Sequence, residues 1–153
     1  MENRFVDSFD LKGALPKAEY MAEKANNKNN SFELTYYNML APTVLKMIDE
    51  TALSGRRSVN ICLAEDVAFE SCCTINVKRI KKALKYYERH TDCRFRNNKF
   101  FEKLNWQEKA IYHVLMDLLD KDYFISVFNS RRSDGDGSCY DFSYDVPYVT
   151  IMW

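Results

Sequence analysis

Glycine and proline are scarce in this chain, at four and three of 153 residues. That excludes collagen-like repeats and flexible low-complexity linkers, which depend on them. No apolar run approaches the roughly 20 residues that a bilayer-spanning helix needs. No apolar h-region opens the sequence, so a secretory leader is not expected, and a reducing, cytoplasmic setting is. The five cysteines, Cys62, Cys72, Cys73, Cys93 and Cys139, are an odd number and are expected as free thiols. Only two histidines are present, and no Cys or His pairs complete a four-ligand zinc spacing, so no metal is expected. Buried thiols acting as small apolar residues are the reading instead. Gly-x-Ser-x-Gly, Walker-type and dinucleotide-binding signatures are all missing. No catalytic residue is nominated and no cofactor is expected. The chain leans away from being an enzyme, although catalytic groups can converge from anywhere in a fold.

What is present is ordinary for a globular domain: 46% hydrophobic and 29% charged residues, with ten Tyr, ten Phe and two Trp. Residues 1–153 are expected to form a single domain, long enough to bury roughly 70% of its unfolded surface without staples.

The periodicity predicts an α+β fold. Pro16 starts a first helix, which Asn26–Asn30 interrupts, since asparagine favours caps and turns. Asn30 then caps a second helix, with Glu33 reaching back to it. That helix kinks at Pro42 and resumes with Val44, Leu45, Ile48 and Ala52 as an apolar face. Gly55 stands where a C-cap glycine belongs. Residues 58–63 alternate and read as a strand. From Asn76 the pattern is helical, with Val77, Ile80, Leu84 and Tyr87 as the apolar stripe. Residues 91–103 look irregular. Asn105 and Glu108 begin another helix, whose core face is Ala110, Ile111, Val114, Leu115 and Leu118. Residues 123–128 and 148–153 read as strands, and 130–145 as the loop between them. The helix between the strands at 58–63 and 123–128 implies a parallel, right-handed βαβ crossover. The last strand adds antiparallel. A small three-stranded mixed sheet backed by N-terminal helices follows. Residues 64–104 form a helical, basic insertion within it.

Ala52-Leu53-Ser54-Gly55-Arg56-Arg57-Ser58-Val59-Asn60-Ile61 and Tyr148-Val149-Thr150-Ile151-Met152-Trp153 carry a resemblance. With the helix and strand around Leu118 to Val127, they are similar to small α/β proteins encoded by tailed bacteriophages. The resemblance covers about half the chain. It implies a phage origin and the fold just described, but no activity and no site residue. The insertion at 64–104 departs from the family pattern, so what is particular to this protein is expected there.

The formal net charge is zero, yet residues 78–103 hold ten Lys/Arg against three acids. A charge distribution this uneven is a statement about partners. On a helix, Lys78, Lys82, Lys85 and Arg89 share one face, with Lys81 beside it. Arg94, Arg96 and Lys99 extend the positive field into the next loop. Such a face suits an acidic protein surface. It also suits phosphates, with Tyr86, Phe95, Phe100 or Phe101 to stack on bases. The plain alternative is a solvated lysine face. The candidate binding residues are therefore Lys78, Lys81, Lys82, Lys85, Tyr86, Arg89, Arg94, Arg96 and Lys99. A host protein is the first choice of partner and nucleic acid or a nucleotide the second, with no membrane involved. The abundance of tyrosine adds the expectation of an oligomer or partner surface. Asp134-Gly135-Asp136-Gly137-Ser138 faintly resembles a calcium loop but lacks the glycine position and closing Glu, and reads as a hairpin loop.

Overall fold

The computed structural model describes residues 18–67, 75–90, 97–133 and 143–153. The chain divides into two compact units, Met1–Ser31 and Phe32–Trp153. In the first, residues 18–31 are helical and their side chains are exposed.

Helix α1 (Ala18–Leu53) runs without a break through both points where an interruption is expected. Asparagine in a helix costs only about 0.7 kcal/mol per residue, so the run at 26–30 is tolerated. The expected cap at Asn30 does not form. Glu33 instead faces His113, with Oε1 3.0 Å from Nε2. Pro42 sits inside the helix and withholds one backbone donor, and beside it the Thr43 hydroxyl donates to the Met39 carbonyl at 2.8 Å. The buried face is Tyr36, Leu40, Val44 and Ile48, while Leu45 and Ala52 point outward. The helix ends in a Schellman motif: Arg56 N–H donates to Thr51 and Gly55 N–H to Ala52. Gly55 has φ of +82°, the left-handed conformation that favours glycine.

Strands β1 (Ser58–Cys62), β2 (Phe124–Ser133) and β3 (Ser143–Met152) form a sheet of order β1-β3-β2. Both ladders are antiparallel, Ile61 pairing with Val149 and Val127 with the same Val149. The expected mixed sheet is therefore corrected to an antiparallel one. β1 and β2 do run the same way, but β3 lies between them and among the described residues no parallel pair exists. The β2–β3 ribbon also extends beyond the expected ends, through Arg131↔Asp145 to Ser133↔Ser143. Most of those positions are polar and exposed, so hydrophobic alternation is blind to them. The remainder of the expected hairpin loop, 134–142, lies outside the described residues, as do Cys72, Cys73, Cys93 and Cys139.

Helices α2 (Val77–Arg89) and α3 (Trp106–Asp120) lie between β1 and β2 in the chain. Val59, Ile61, Ile125, Val127, Val149 and Ile151 present one sheet face to the common core. α3 is buried on most of its surface, including Gln107 and Glu108. The capping box expected at its start is formed by Asn105 and Glu108. Tyr36 and Tyr112 are wholly buried and Tyr37, Tyr123 and Tyr148 half-buried, so much of the tyrosine stock is core packing. Trp153 N–H bonds to the Arg57 carbonyl at 3.0 Å, which ties down the last strand. Among the described residues no helix is long and apolar enough to cross a membrane.

Candidate partner-binding face

The candidate site is built on α2, whose formation follows from its ends and its pattern. Asn76 adopts an extended backbone and its side chain accepts the Arg79 N–H at 3.2 Å, a standard N-cap. The expected stripe of Val77, Ile80, Leu84 and Tyr87 is buried, together with Ala83. At the far end Arg89 stands in the last turn, where a cation complements the helix dipole. With one face committed to the core, the opposite face must lie in solvent. Lys78, Lys81, Lys82, Lys85 and Arg89 all lie there, exposed, within an arc of about 100°. Among the described residues none of the five has a carboxylate within ion-pair distance.

Arg79 behaves differently. It is pulled aside to Glu108, with Nη2 3.0 Å from Oε1 and Nε 3.2 Å from Oε2. Glu108 is wholly buried and also accepts the backbone N–H groups of Asn76 at 2.7 Å and Asn105 at 3.0 Å. One carboxylate therefore joins the starts of α2 and α3 and fixes which way the basic face points. At the other end, the Tyr87 hydroxyl donates to Asp120 at the close of α3.

Beside the ridge lies an aromatic group. Tyr86 stacks on His90, with centroids 4.3 Å apart and planes 20° apart, and meets Phe100 edge-on at 5.8 Å. Lys99 extends over the outer side of Phe100, 5.1 Å from its centre. These rings and Lys82, Lys85 and Arg89 enclose a shallow cavity of about 220 Å³. Phe101, expected as a base-stacking residue, packs against Tyr112 and His113 instead.

Asn98 positions this group, and sequence reasoning does not single it out. It is wholly buried and donates to the Ala83 carbonyl and the Tyr112 hydroxyl, both at 3.3 Å. Its side-chain oxygen accepts the N–H groups of Phe100 and Phe101. The turn that carries Lys99 and Phe100 is thereby pinned to the back of α2. The one available signal is the Asn97-Asn98 pair, since Asn97 takes the left-handed φ of 62° that asparagine tolerates. Arg94, Arg96 and Phe95 lie outside the described residues.

A second cavity, of about 150 Å³, opens on the other flank of α2. Its floor is Leu84, Leu119, Ile125 and Val127, and Lys81, Lys85 and Glu88 stand at its rim. Away from α2, Arg132 is held by Glu65 and by the Tyr148 hydroxyl, and its guanidinium lies over the Tyr148 ring at 5.6 Å. The hydrogen bond to Glu65, followed by that to Tyr148, raises its already high pKa. That arginine is spent on joining β2 and β3 to the turn after β1. Among the described residues no group of three His, Cys, Asp or Glu stands together as a metal site, and Cys62 is a buried free thiol.

Comparison with protein-family models, with curated proteins and with solved structures finds no match.

Proposed function

We propose that this is a non-enzymatic binding protein that docks an acidic protein surface through the exposed face of α2. The observation that carries the reading is the set of five cations on one helix face with no carboxylate in reach among the described residues. Like charges held side by side repel, and a partner of opposite sign relieves that cost while steering the encounter. The cavity at Tyr86, His90 and Phe100 supplies what charge alone does not, an apolar anchor point inside a cationic rim. The segment 64–104, particular to this chain beside the phage proteins it resembles, would be the contacting part. A host protein in the cytoplasm of an infected cell, inhibited or redirected, is the partner this reading names.

Nucleic acid or a nucleotide is the second reading, favoured by the aromatic floor beside Lys82, Lys85 and Arg89. It ranks second because the rings meant for stacking are engaged with one another. Tyr86 has one face on His90, and Phe101 is turned to the core.

Affinity capture from host lysate, with and without nuclease, separates the two. The proposed function expects one dominant protein whose capture survives nuclease and is lost with Lys82→Glu/Lys85→Glu. Capture that disappears with nuclease, or oligonucleotide binding that falls steeply as salt rises, moves the assignment to nucleic acid. Capture that survives both nuclease and the double substitution removes α2 from the contact.

A further inference from the structure

We infer that the unpaired edge of β2 receives an acidic, extended segment of the partner as an added strand, beneath Lys81 and Lys85. This rests on the proposed function and names the form the acidic partner takes.

The sheet order leaves β2 at one end, so among the described residues β3 alone bonds to it. β2 is ten residues long, about twice the usual strand. An exposed edge of that length is a template for another strand. The second cavity meets this edge at the main chain. Ile125 and Val127 point to the core face and Ser126 to the opposite face, yet all three line the cavity. Main-chain N–H and C=O groups are what three consecutive strand residues share. Above them, Lys81, Leu84, Lys85 and Glu88 form one flank of α2, at i, i+3, i+4 and i+7.

That layout specifies an occupant. In an added strand, residues two apart face the same way. One apolar side chain would lie on the Leu84–Leu119 floor, and an acidic one two positions along would reach Lys81 and Lys85. Glu88, farther along the flank, disfavours a second acid at its own end. A second copy of this chain is a poor occupant, because edge-to-edge pairing would place the lysines of both copies along one seam. Main-chain bonding supplies affinity, and the alternating side chains supply selectivity.

The probe is a short capped peptide of threonines carrying one valine and one aspartate two positions apart, beside the same peptide N-methylated at successive amides. Both carry the same charge, and only the first can complete a strand ladder. With the full-length protein, the unmethylated peptide is expected to bind at low salt and to slow amide exchange within Phe124–Phe128. Methylation should weaken binding roughly tenfold or more, the loss of two or so hydrogen bonds. Lys81→Glu/Lys85→Glu should abolish binding, and Lys78→Glu/Lys82→Glu should leave most of it. Equal binding of the methylated peptide, protection absent from β2, or no binding at all overturns the added strand. If host capture then still depends on Lys82 and Lys85, the docking face stands without it. Self-association of Lys81→Ala/Lys85→Ala, without peptide binding by the natural chain, also overturns it and leaves these lysines as guards of the edge.

Discussion

Two buried residues show how single side chains decide the geometry. Glu108 accepts four N–H groups from Asn76, Asn105 and Arg79 while wholly shielded from water. Glu108→Ala strands all of these donors and should cost about 3–5 kcal/mol, read from urea unfolding. Arg79→Ala should cost a comparable amount, because it leaves the wholly buried Glu108 carboxylate without its cation. Tyr36 donates to the Val67 carbonyl at 3.0 Å from a fully buried position. Burial pushes its hydroxyl up to about 12, against a smaller lowering from the Gln107 hydrogen bond. The folded state thus holds this proton where the unfolded chain, with a tyrosine pKa near 10, releases it. Its contribution is complete below pH of about 10 and is lost as pH rises toward 12, on the order of 2–3 kcal/mol. Thermal unfolding across that window should therefore fall more steeply in the natural protein than in Tyr36→Phe. Equal slopes would show that Tyr36 is not the group titrating.

At the scale of the element, legibility tracked amphipathic contrast. α2 has the sharpest division of charged and apolar residues, and its four-residue stripe is buried as expected. α1 was legible only in part, since neither the four asparagines and one lysine of 26–30 nor Pro42 ends it. The break inferred at Pro42 gives way because a continuous face of Tyr36, Leu40, Val44 and Ile48 is anchored in the core. The proline still has its cost. Pro42→Ala restores a donor to the helix and should stabilise the protein by about 1–3 kcal/mol, measured as a shift in the urea midpoint at constant slope. The outer half of the β2–β3 ribbon could not be read at all. On β2 its residues, 129–133, are all polar, and only the register opposite β3 makes them strand.

For the whole molecule, zero net charge conceals two opposed fields. Residues 78–103 carry ten Lys/Arg against three acids, and the other residues carry twelve against nineteen. With no net repulsion to keep copies apart, the ridge of one molecule is drawn to the acidic surface of another at low ionic strength. Light scattering should show concentration-dependent association in dilute buffer, dispersed at 0.15 M salt where the screening length is about 8 Å. Lys82→Glu/Lys85→Glu should abolish that association without lowering the unfolding temperature, since both side chains are exposed. If the substituted protein associates as readily, the ridge does not dominate the surface field.

The amino-acid order by itself determined the α+β class, the starts of α2 and α3, the C-cap at Gly55 and the outward basic face. Each follows from residues a few positions apart, where spacing and backbone preference act directly. Tertiary structure alone decided that β3 lies between β1 and β2, that Arg79 leaves the ridge for Glu108, and that Asn98 pins Phe100 beside Tyr86. Those outcomes join residues far apart in the chain. They depend on which partners the packed core brings within hydrogen-bond reach, and no local pattern encodes that distance.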